Sequence, residues 1–161
     1  MPKTVNVADL YPVIEEKLHT GGYVTMMASG VSMLPMLRNQ LDTVILGPVT
    51  EPLLMNDVVL YRRANGQFVL HRIVGLETNG NYILCGDNQY ILEHNISHQQ
   101  VVGLLQSFTR KGRSISCTSH YYKAYVNLLP TLRFLHFGLS ISRRYASVLK
   151  RKVRRWTNGR E

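Results

Sequence analysis

Short apolar runs separated by Gly, Asn and Pro fill the first three quarters of this chain. YVTMMA (23–28), TVIL (43–46), DVVLYRR (57–63), QFVLHRIVGLE (67–77), YILC (82–85) and VVGLLQSFTR (101–110) are rich in β-branched and aromatic residues and read as strands. The dipeptide Asn65-Gly66 predicts a tight hairpin over 58–77, and Asn79-Gly80-Asn81 and Lys111-Gly112-Arg113 predict further turns. One earlier segment differs. VADLYPVIEEKLH (7–19) places Val13, Ile14 and Leu18 on one side of a short helix, with Asp9 as a cap, Pro12 in the first turn and Gly21-Gly22 as its end. From Pro130 the period turns helical. Leu132, Leu135, Leu139, Ser142, Ala146, Leu149, Val153 and Trp156 form one stripe, and Arg133, Arg143, Arg144, Lys150 and Arg151 lie off it. The expectation is a mainly β fold: a bent antiparallel sheet or partial barrel, with a short N-terminal helix and a long C-terminal amphipathic helix.

Charge divides the chain at the same place. Residues 1–122 hold nine Lys/Arg and nine Asp/Glu, while residues 123–161 hold ten Lys/Arg against Glu161 alone. The formal net charge of +9 therefore resides in the last quarter, which predicts a β domain over 1–122 and a basic tail over 123–161. With 45% hydrophobic residues the chain is long enough for one domain with a real core. It has no uncharged apolar run of about 18 residues, and its polar, acidic start, MPKTVNVADLYPVIEEK, does not look like a signal peptide. A cytoplasmic protein is expected. Cys85 and Cys117 make neither a disulfide framework nor a zinc spacing. His94 and His98 have helical ligand spacing but sit in a polar stretch without a third ligand, so no metal and no cofactor is expected.

One stretch carries chemistry. In ASGVSMLPML (28–37) a single hydroxyl, Ser32, stands in an apolar run that Pro35 keeps from being helix or central strand. By itself Ser32 is an ordinary turn serine, His71 in LHRIVG an ordinary strand histidine, and Asp87 in CGDN an ordinary loop acid. Together they are the three parts of nucleophilic acyl transfer: a hydroxyl, a base with a pKa near neutrality, and a carboxylate that fixes the base's tautomer.

These residues resemble a known family. Ser32-Met33-x-Pro35 is similar to the Ser-Met-x-Pro signature of signal peptidases and the related self-cleaving SOS repressors. Asp57-Val58-Val59 resembles their Gly-Asp-hydrophobic box, with Asn56 in place of the glycine. Leu70-His71-Arg72-Ile73-Val74 resembles the strand carrying the base, and Gly86-Asp87-Asn88 the Gly-Asp-Asn box. The four motifs fall in family order over about residues 23–110. Histidine at the base position resembles the endoplasmic-reticulum and archaeal signal peptidases; the repressors and common bacterial enzymes carry lysine. The resemblance implies Ser32 as nucleophile, His71 as base and Asp87 as the acid orienting it, with Glu93 as the alternative acid. It also implies a substrate and oxyanion region at Gly30, Val31, Met33 and Pro35. Gly30 stands where many relatives have a hydroxyl residue, so a backbone-only oxyanion hole including the Ser32 N–H is expected.

The function expected on this basis is a serine endopeptidase that cleaves a peptide, leader or precursor protein through an acyl-enzyme. The alternative is a catalytically inactive peptidase fold that binds peptide or nucleic acid. A self-cleaving repressor is disfavoured by the histidine. The basic tail has no base-reading module beside it, so nucleic acid is the lesser partner. Its stripe serves either the core or an anionic membrane surface. Trp156 amid Lys150–Arg155 tilts the expectation for residues 130–156 to the membrane, which would make the protein peripheral at the inner face.

Overall fold

A computed structural model describes residues 7–131, with side chains from Leu10 onward. Eight strands form one antiparallel sheet: β1 (Val24–Met27), β2 (Thr43–Gly47), β3 (Val58–Arg62), β4 (Phe68–Leu76), β5 (Tyr82–Cys85), β6 (Glu93–Ile96), β7 (Val101–Arg110) and β8 (Arg113–Ser116). Their order is β1-β2-β7-β3-β4-β5-β6, with β8 paired to β7. The sheet is open, with β1 and β6 at the two ends of the path. Helix α1 (Val7–His19) precedes it, and helix α2 runs over 120–131. The chain divides into two compact units, Met1–Ala124 and Tyr125–Glu161.

Every strand expected from the apolar runs forms, and the Asn65-Gly66 turn joins β3 to β4 with Gly66 at φ +83°. Three features differ from expectation. Asp9 and Pro12 are the third and sixth residues of α1, so neither the cap nor the first-turn proline holds. The polar stretch after Leu92 is not loop but strand β6, followed by a 3-10 turn over His98–Gln100. The second helix begins at 120, ten residues before the periodicity suggests. The remainder of that expected amphipathic helix, from residue 132 on, lies outside the described residues.

One hydrophobic cluster among the described residues gathers on one face of β3, β4, β5 and β7. Val59, Tyr61, Ile73, Leu84 and Val101 pack with Leu53, Tyr82 and Ile96. Period-two alternation and the register explain it: Val59 pairs with His71 and Tyr61 with Val69, so Val59, Tyr61, Val69, His71 and Ile73 share that face. Helix α1 lies against β7 through Leu18, so close that a side chain at Gly103 would stand 2.8 Å from Leu18 Cδ1. Among the described residues no helix is long and apolar enough to cross a membrane.

Candidate active site

Ser32 lies in the loop between β1 and β2, in a turn over residues 32–36. The turn exists because its apolar residues face inward: Met33, Met36 and Leu37 are buried, while Val31 and Pro35 are exposed. Pro35 thus stands where its missing N–H breaks no ladder bond, and Leu37 N–H closes the turn on Met33 O at 2.9 Å. The loop is pinned at its base by Asp42, which is fully buried. Its carboxylate accepts from Arg38 Nη2 at 2.6 Å, from Arg38 Nε and from the Arg38 backbone N–H at 2.8 Å. That charged pair holds the Asp42 carboxyl below the usual carboxylate range. Gly30, at φ +87°, donates its N–H to Asn39 Oδ1 at 2.9 Å. None of the hydrogen bonds among the described residues uses the Ser32 N–H.

The Gly-Asp-Asn segment serves this loop. Asn88 N–H donates to Ser32 O at 2.7 Å, and Asn88 Nδ2 donates to Val31 O at 3.2 Å. Gly86 is required by proximity: a Cβ there would stand 2.7 Å from Ser32 O. Asp87 corrects the expectation. Its two oxygens accept from Arg72 Nε and Nη2, each at 2.8 Å, in a planar fork. Both side chains are essentially inaccessible to water. Arg72 Nη1 also donates to Asn56 O and to Tyr122 Oη, each at 2.8 Å, and Nη2 reaches Met36 Sδ at 3.4 Å. Arg72 therefore ties together four segments that are distant in sequence, and Asp87 is the counter-charge that makes its burial possible. The Asn56 turn has a left-handed backbone. Asn56 sits at φ +76°, a left-handed conformation that asparagine tolerates better than most residues.

His71 is on β4 with 1% of its surface exposed. The carboxylate against it is Glu93, the first residue of β6: His71 Nδ1 stands 3.2 Å from Glu93 Oε1. Tyr61 Oη is 3.3 Å from the same nitrogen. With the proton on Nδ1, the imidazole donates to the carboxylate, and Nε2 is left as the basic nitrogen. Nε2 is buried and has no hydrogen-bond partner among the described residues. Burial pushes the His71 pKa below its ordinary value. Glu93 pulls it back up, Arg63 pushes it down and Asp87 raises it slightly. The Tyr61 hydroxyl is pushed well above its usual range by burial and by Glu93.

Ser32 and His71 line one cleft of about 1230 Å³, together with Gly30, Val31, Met33 and Gln89. Its walls include β1, which ends the sheet, and the first half of β4. Residues 68–71 pair with β3 on one side, whereas pairing with β5 starts only at Arg72. The stretch leading to the base therefore has an open edge. At the far end Tyr11 of α1 stacks on Phe68, with ring centroids 3.7 Å apart.

Sequence reading missed Arg63, Arg72, Asp42 and Tyr61. A charged residue quoted inside a strand, as in LHRIV, was the available signal for Arg72, because a cation there must either point outward or find a buried partner. His94 and His98 are not brought together: His94 bonds Glu77 at 3.0 Å, and His98 bonds Tyr82 Oη and Glu51, each at 3.0 Å. Cys85 is a buried thiol that donates to the Gln89 carbonyl at 3.3 Å, and Cys117 is a half-buried thiol.

No protein-family model matches the chain, and no curated protein matches its sequence. The likeness to signal peptidases rests on the ordered motifs.

Proposed function

We propose that the protein is a serine endopeptidase in which Ser32 attacks, His71 takes and returns the proton, and Glu93 orients the base. The observation that carries this reading is the state of His71. One ring nitrogen is held by an acid, and the other is buried without a partner on a residue that shares a cleft with Ser32. A buried polar nitrogen without a bond is costly, which supports a reading in which a reacting group is its partner. In the reaction His71 Nε2 removes the Ser32 proton as Oγ adds to a peptide carbonyl. The imidazolium is steadied by Glu93, and the same proton passes to the leaving amine as the acyl-enzyme forms. Water then repeats the sequence and frees the acid. The Ser32 N–H is a donor open to the developing oxyanion. The open edges of β1 and of residues 68–71 suit an extended peptide, whose main chain would bond as an added strand.

The test is acylation. A serine-directed acylating probe should add one adduct mass to the protein at Ser32, and Ser32→Ala should remove it without changing the circular dichroism. Acylation that persists in Ser32→Ala, or none in the native chain, overturns the reading. The absence of a Ser32–His71 hydrogen bond favours a second reading, a peptide-binding module without turnover. It is distinguished by a peptide that binds and is recovered intact.

The charge of residues 123–161 supports contact with an anionic membrane. Vesicles with anionic lipid should sediment the full chain at low salt and release it at high salt. Absence of binding at low salt removes the membrane from the proposal.

A further inference from the structure

We propose that Arg63 is a positioning residue for the base: its guanidinium fixes the Glu93 carboxylate against His71 Nδ1. This rests on the peptidase reading of His71. Arg63 follows β3 at the start of the turn to β4. Its Nε donates to Glu93 Oε2 at 2.7 Å, and its Nη2 is paired with Glu93 Oε1. That second oxygen is the one 3.2 Å from His71 Nδ1. The fork therefore sets the plane of the carboxylate and places one oxygen between a cation and the imidazole.

The cation is itself held. Arg63 Nη1 donates to Gln67 Oε1 at 2.6 Å, Arg63 N–H to Gln67 O at 2.8 Å, and Gly66 N–H to Arg63 O at 2.9 Å. The hairpin turn read from Asn65-Gly66 thus carries a rigid guanidinium. A surface ion pair between flexible side chains orders little. This one is bidentate, is anchored by the turn and is only about a third exposed on the arginine side.

Glu93 needs such help. It sits on a four-residue strand at the end of the sheet path, paired with β5 through an irregular register. A glutamate has one more torsion than an aspartate, so it must be held by its head group to act as a fixed acceptor. The groups that act on His71 are Glu93 from β6, Tyr61 from β3 and Arg63 from the turn, with Asp87, paired to Arg72, acting only through its charge. Among them Arg63 alone both touches the acid and acts electrostatically to keep the imidazole neutral.

The test reads His71 directly and so does not depend on activity. In full-length Ser32→Ala protein with nitrogen-15-labelled histidine, the imidazole resonances give tautomer and pKa. With Arg63 present, His71 should be a single Nδ1–H tautomer. Arg63→Met should mix the tautomers, because the carboxylate loses its fork, and move the titration to higher pH, because a positive charge beside the imidazole is lost. Arg63→Lys should keep the lower pKa through its charge but restore the single tautomer only in part, because ammonium lacks the fork. In the protein with Ser32, acylation by the probe should slow about tenfold or more in Arg63→Met, with the acid limb of its pH profile displaced upward and the probe concentration at half-saturation unchanged. An unaltered tautomer and titration in Arg63→Met would overturn the proposal. If that variant does not fold, a wild-type tautomer in Arg63→Lys does the same. Native protein that is not acylated but shows the tautomer change refutes the peptidase reading and leaves the Arg63–Glu93–His71 geometry standing.

Discussion

Two of the arginine–carboxylate forks at the candidate site, Arg72–Asp87 and Arg63–Glu93, differ in depth. Arg72–Asp87 is buried, with side-chain exposures of 1% and 0%. Arg63–Glu93 has 31% and 20%. The deep fork serves the Ser32 side: it binds the Gly86–Asn88 segment, Met36 in the Ser32 turn, the Asn56 carbonyl and Tyr122. The shallow fork sits on the His71 side, and its carboxylate touches His71. Burial decides the division of labour. Two charges in a dry interior cost so much to desolvate that each becomes indispensable to the other, which makes the deep pair a structural pin. A half-wet pair is worth little to stability, which leaves its field and its hydrogen bonds available to tune a neighbour.

The comparison breaks first at the deep fork. Asp87→Ala strands the Arg72 guanidinium and should cost about 3–5 kcal/mol in urea unfolding. Arg72→Met with Asp87→Leu should recover part of it, because no unpaired charge remains. If Asp87→Ala loses less than about 1 kcal/mol, the pin is not one. Next comes the acid of the shallow fork. Glu93→Gln should slow acylation of Ser32 on the order of 10²–10³-fold by leaving the imidazolium unsupported, while stability changes by less than about 1 kcal/mol. The reverse pattern, with a large stability loss and normal acylation, would exchange the roles assigned to the two forks.

Gly86 sharpens the comparison at smaller cost. Gly86→Ala pushes a methyl against Ser32 O, which must move or strain, at about 1–3 kcal/mol. The acylation rate should fall together with stability, since the methyl displaces the nucleophile's own backbone. A rate loss without destabilisation would show instead that the loop yields freely.

The mildest effect is pH. Only neutral His71 accepts the serine proton, so acylation should rise with pH through the His71 pKa. Burial holds that value below the ordinary imidazole value of 6.5. Activity should persist into mildly acidic solution and fall below it. Stability follows the same sign: the unfolded histidine binds its proton first, so acidification below about 6.5 favours unfolding. Glu93, held below its usual range by Arg63, adds a further loss as pH falls through the acidic range. A flat stability profile between about pH 5 and 7 would count against a buried neutral His71.

The strands encoded by apolar runs were legible locally, whereas the helix boundaries were not. β-branched runs and Asn-Gly turns encode β1 to β5 and β7 in adjacent residues, and no distant partner is needed to recognise them. Ser32, His71 and Glu93 were visible as candidates because their residue types limit the chemistry they can do. The polar segment Glu93-His94-Asn95-Ile96 has no such local signature. It becomes a strand only by pairing Ile96 with Tyr82 and Glu93 with Leu84, so its backbone is satisfied by a neighbour rather than by its own propensity.

The choice of acid was beyond local reading for the same reason. Asp87 and Glu93 each follow His71 at a plausible interval, and either carboxylate could serve a histidine. Adjacent side chains on a strand point to opposite faces. His71 and Arg72 therefore look in opposite directions, and each takes a different acid. Asp87 goes to Arg72 and Glu93 to His71. The sequence narrowed the candidate groups and placed Ser32 in a turn and His71 on a strand. The tertiary structure decided which cation faces which anion, because the register of β4 between β3 and β5, rather than distance along the chain, sets those encounters.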